Sequence, residues 1–91
     1  MMEPERLRDL AATFPTLAGY VKHISLSEVV PEMRVQAMTA SGGTGKRQAA
    51  LFCMWVWDHN VHHFDLAKAW PIWDSEHRAA YSAWAAAPFW L

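Results

Sequence analysis

The sequence predicts an all-α protein, a compact bundle of four or five short helices in one domain spanning 1–91. Three features carry this prediction. Apolar residues recur at helical spacing, capping residues precede several of these runs, and Pro or Gly closes most of them after a few turns. The chain has 91 residues, and a domain of that size buries only about 60–65% of its unfolded-chain surface. Large side chains must therefore supply most of the stability. Six Trp, four Phe, two Tyr and five Met are available for this, and all six Trp lie between Trp55 and Trp90.

The first helix is expected to start at Glu3-Pro4, because Pro suits the first helical turn. Leu7, Leu10, Ala11 and Phe14 then mark one face at i, i+3, i+4 and i+7, and Pro15 is expected to end the helix. Residues 16–24 read as a loop or short turn, since Gly19 weakens a helix there. Ser25 and Glu28 have capping-box spacing, so a helix should begin at that point. Pro31 should either kink it or start a new one, with Met33, Ala37 and Met38 facing inward.

Ser41-Gly-Gly-Thr-Gly45 is the clearest loop in the chain. The following run, 46–57, is apolar almost all round and predicts a central buried helix. The alternative is α+β: Met33, Val35 and Ala37 alternate, so 33–57 could form a hairpin through the glycines. Helix formers at Gln48–Phe52 and the length of the run favour helix. Asp65 can cap a short helix, Leu66–Trp70, which Pro71 stops, and Asp74 can cap the last one. That last helix shows an apolar row of Ala80, Tyr81, Trp84 and Ala87, and Pro88 ends it before the tail Phe89-Trp90-Leu91.

Composition excludes several functions. A single cysteine, Cys53, cannot form an intrachain disulfide, and secreted domains this small usually carry disulfides. The start, MMEPERLRDL, lacks the apolar stretch of a signal peptide. The longest wholly apolar run, Ala49–Trp57, is about half of the ~20 residues a membrane helix needs. A cytoplasmic protein without a membrane span is expected. Residues 1–47 hold six Lys/Arg and five Asp/Glu, whereas 48–91 hold only Lys68 and Arg78 against Asp58, Asp65, Asp74 and Glu76. The tryptophans thus lie in the mildly acidic half, which disfavours nucleic acid as a partner.

The stretch WVWDHNVHHFD (55–65) raises the question of a metal. His59 and His63 stand at i, i+4, and with His62 and a ligand from Asp58, Asp65 or Cys53 they could hold zinc. Asn60 and the cap at Asp65 argue instead for a corner between two buried helices, with no resident cofactor. SGGTGKR departs from the P-loop pattern, because Ala40 stands at its first Gly and Arg47 at its Ser/Thr. Asp74-Ser-Glu-His77 reads as the charged first turn of a helix, with His77 partly exposed. Cys53 sits in the most apolar run and is expected to be buried and inert.

The C-terminal third, FDLAKAWPIWDSEHRAAYSAWAAAPFW (Phe64–Trp90), resembles the end of a set of small uncharacterised bacterial proteins. Those share the pattern FDL…A…WD…HRxAxxxW…P-aromatic-W. The resemblance implies a bacterial or mobile-element origin and carries no activity with it. With no catalytic constellation evident and more aromatic and Met side chains than a small core needs, the sequence predicts a non-enzymatic protein. It would bind another protein or a second copy of itself through Trp73, Phe89, Trp90 and Leu91. The alternative is a metal-binding protein using His59, His62 and His63.

Overall fold

The computed structural model describes residues 4–38 and 45–91. Six helices follow one another: α1 Pro4–Ala11, α2 Pro15–Val21, α3 Leu26–Met38, α4 Gly45–Trp57, α5 Leu66–Ala69 and α6 Ser75–Ala86. The all-α expectation holds, with one helix more than predicted and no strand among the described residues. The rival hairpin over 33–57 is thereby replaced by α3 and α4; Ser41–Thr44, within the expected loop, lies outside the described residues.

The additional helix is α2, and it corrects the expected role of Pro15. Phe14, in extended backbone as a residue before proline prefers, forms the N-cap, and Pro15 stands at the start of α2. Proline starts this helix where it was expected only to end the previous one. Its missing N–H would lack a helical partner at that position in any case. α1 closes through Thr13, whose backbone N–H and hydroxyl both donate to the Leu10 carbonyl, at 3.1 and 2.6 Å. Phe14 is fully buried at the junction.

α3 starts at the predicted point, with the Ser25 hydroxyl donating to the Glu28 carboxylate at 2.7 Å. It runs through Pro31, which is exposed near the beginning of its second turn. α4 is the central helix and packs against α1, α2, α3 and α5. Its buried residues include Ala49, Ala50, Phe52, Cys53, Met54 and Val56, which spread around the helix at 100° per residue.

A corner follows α4. The Asp58 carboxylate accepts the Asn60 N–H at 3.2 Å, and the Asp58 carbonyl accepts those of Val61 and His62. Asp65 then caps α5 through the Ala67 N–H at 3.0 Å. Asp74 caps α6 through the His77 N–H at 2.9 Å.

Aromatic rings knit these elements together around Phe52. Its ring lies 5.1 to 6.4 Å, centroid to centroid, from Phe14, Trp55, Phe64, Trp73, Tyr81 and Trp84, mostly edge-to-face or tilted. Such pairs add about 0.5–1.5 kcal/mol each beyond the burial of their area. Phe52→Ala should therefore cost about 3–5 kcal/mol, a large share of the ~5–15 kcal/mol that holds a domain folded. Denaturant titration checks this, and a midpoint shift no larger than that of an exposed alanine substitution would contradict it.

Candidate functional site

Among the described residues two places bring chemistry-bearing or partner-accessible residues together, and a third, the histidine corner, is where the sequence raised a metal site. The first is an apolar groove of about 320 Å³ between α1 and α6. α1 supplies Leu10 with Arg6 and Asp9, and Thr13 follows from its C-terminal turn. α6 supplies Ala80, Ala83 and Trp84, and Phe89 from the tail completes the lining. The small side chains at 80 and 83 leave the space, and Arg6 stacks over the Phe89 ring at 5.0 Å.

The tail is docked. The Trp84 indole N–H donates to the Phe89 carbonyl at 3.0 Å, and the Leu91 N–H donates to the Val56 carbonyl at 3.0 Å. Phe89 and Leu91 are half-buried by these contacts, whereas Trp90 remains 49% exposed. The Trp90 ring packs against Trp55 and Trp84 edge-to-face and against His59 at a tilt, with centroids 4.8, 5.6 and 4.9 Å away. The ring is held in place and still meets solvent. Trp73, the fourth residue expected at a binding surface, is instead a core residue at 2% exposure. Its indole N–H donates to the Gly45 carbonyl at 3.2 Å and its ring stacks on Phe64, so it anchors α4 to the segment before α6.

The second place is His77, which corrects another expectation. Its ring is 3% exposed, although the first turn of a helix predicted partial exposure. Nδ1 lies 2.7 Å from Asp74 Oδ1, and Nε2 lies 2.8 Å from the hydroxyl of Thr16 in α2. The backbone N–H of His77 and then its side chain hold the Asp74 carboxyl below the usual carboxylate range. The helix cap at Asp74 was legible in the sequence, but Thr16, 61 residues away, carried no signal of its approach.

The third place is the histidine corner. Among the described residues no three His, Cys, Asp or Glu side chains group as metal ligands, so His59, His62 and His63 are not brought together. His59 packs on Trp90, His63 is exposed, and His62 Nε2 is buried without a hydrogen-bond partner. A turn, rather than a helix, is why the i, i+4 spacing fails to align His59 with His63. Cys53 is fully buried, and burial pushes its thiol well above the ordinary range, which suppresses the reactive thiolate.

Comparison with known proteins finds no matching family model, no matching curated protein and no matching solved structure.

Two of the perturbed groups, His62 and Asp74, give a pH prediction. Burial first, then Arg34, holds His62 below its ordinary 6.5, with Asp58 opposing. The unfolded chain therefore takes up the proton before the folded one does, and stability should fall as pH drops below 6.5. Asp74 acts in a lower window: its contribution is present above 3.8 and is lost as pH falls through its depressed folded value. Melting curves against pH check both, and His62→Gln should flatten the upper window alone. An unchanged upper window in that variant would assign the loss to another group.

Proposed function

We propose that this chain is a non-enzymatic helical protein that binds another protein, or a second copy of itself, through the surface built by its C-terminal tail. The observation that carries this reading is the α1–α6 groove next to a half-exposed Trp90 whose ring already packs on Trp55, Trp84 and His59. A tryptophan fixed before binding loses little conformational entropy when covered, and this is the behaviour of an interface anchor. The groove offers room for an apolar side chain, and Arg6 and Asp9 supply both charge signs in its lining. Among the described residues no helix is long and apolar enough to cross a membrane.

A finer reading is an accessory or inhibitor protein of bacterial or phage origin working in the cytoplasm. It is supported by the resemblance of Phe64–Trp90 and by the single cysteine, and it remains part of the proposal.

Two variants test the binding surface. Ala83→Trp should fill the groove without loss of helicity, since Ala83 is exposed in mid-helix. Trp90→Ala should remove the anchor and weaken association by ~30-fold, as a ~2 kcal/mol hot spot implies. Sedimentation velocity and quantitative capture from a lysate of the native host, on wild type and both variants, read the result. Assembly and capture unchanged in both variants would overturn this assignment of the surface.

A further inference from the structure

The Thr16–His77–Asp74 chain goes beyond anything a binding surface requires. The Asp74–His77 link is local, as expected between an N-cap and the third residue of its helix. Thr16 is not local: it comes from α2 and places its hydroxyl 2.8 Å from Nε2. Asp74 offers a carboxylate, which only accepts, so Nδ1 carries a proton, and in the neutral imidazole Nε2 then presents its lone pair to the Thr16 O–H. The imidazole is held in that orientation by Phe14, 5.8 Å away, and by stacking on Trp73, 6.3 Å away. Thr16 itself is exposed. A hydroxyl, a buried imidazole and an anionic carboxylate in this order are the parts that make an alcohol nucleophilic.

We propose that Thr16 is an acyl-acceptor site, activated by His77 oriented by Asp74, that takes an acyl group from an activated ester such as an aryl ester or thioester. Thr16 Oγ1 forms a bond to the carbonyl carbon while its proton passes to His77 Nε2. The tetrahedral adduct then breaks its bond to the leaving group, which receives that proton from His77. The products are one acyl-Thr16 ester per chain and one free phenol or thiol, with no change of oxidation state. The reaction is a single modification of the chain, independent of the proposed binding surface.

The test uses the full chain with p-nitrophenyl acetate near neutral pH, followed by peptide mapping of the acetylated positions by mass spectrometry. Acetyl on Thr16 is expected, retained in Thr16→Ser at residue 16 and lost from that position in Thr16→Val. Asp74→Asn keeps a good N-cap while favouring the other imidazole tautomer, so labelling of residue 16 should slow at least about tenfold. Circular dichroism of each variant verifies that helicity is kept. Acetyl confined to lysines, histidines or the amino terminus, or residue 16 labelled equally fast in a folded Asp74→Asn, would overturn the proposal.

Discussion

Phe52 sits where the packing of this small domain converges. Its ring touches aromatic side chains from the α1–α2 junction, from α4 itself, from the corner before α5, from the segment before α6 and from α6. Non-directional burial would hold these elements together in many arrangements, but the edge-to-face preference of aromatic rings narrows them. α4 can accept neighbours on several sides because its buried residues spread around its axis. The remaining helices are short, and α5 has only four residues. Helices of this length are not stable in water on their own, so their existence depends on that shared core.

The same core explains why the surface at the tail can be both ordered and open. Trp84 is buried against Phe52 and uses its indole N–H to hold the Phe89 carbonyl. Trp55 lies between the core and Trp90, and the Leu91 N–H reaches back to Val56 in α4. Order thus passes outward from a fully buried ring to a half-exposed one. The groove beside it exists because Ala80 and Ala83 leave unfilled the space between α1 and α6.

His77 shows how a capping motif acquires a second use. Asp74 begins α6, and the third residue after it brings an imidazole back to the same carboxylate. Burial beneath Phe14 and Trp73 then leaves Nε2 with Thr16 as its neighbour. Each of these residues also has an ordinary structural task. The position of α2, set by Phe14 and Pro15, determines whether the hydroxyl arrives.

Local chemistry was readable residue by residue. Asp65 and Asp74 announced their helices, the apolar run after Gly45 announced the central one, and the Asp58–Asp65 stretch announced a corner. These depend on hydrogen bonds and periodicity within a few positions, which the order of residues alone specifies. Pro15 was legible as a boundary, but both the end of one helix and the start of another accept proline, and only the burial of Phe14 selects the second. Trp73 and Trp90 are the same residue type in the same acidic half, yet one is core and the other half-exposed. His77 and His63 divide in the same way. The partners responsible, Gly45 for Trp73 and Thr16 for His77, are 28 and 61 residues distant, and no local pattern encodes contacts across that separation. The other helices were therefore determined by the sequence over short spans, whereas α2, and which aromatic rings and histidines meet solvent, were decided only when α1, α2 and α6 closed around Phe52.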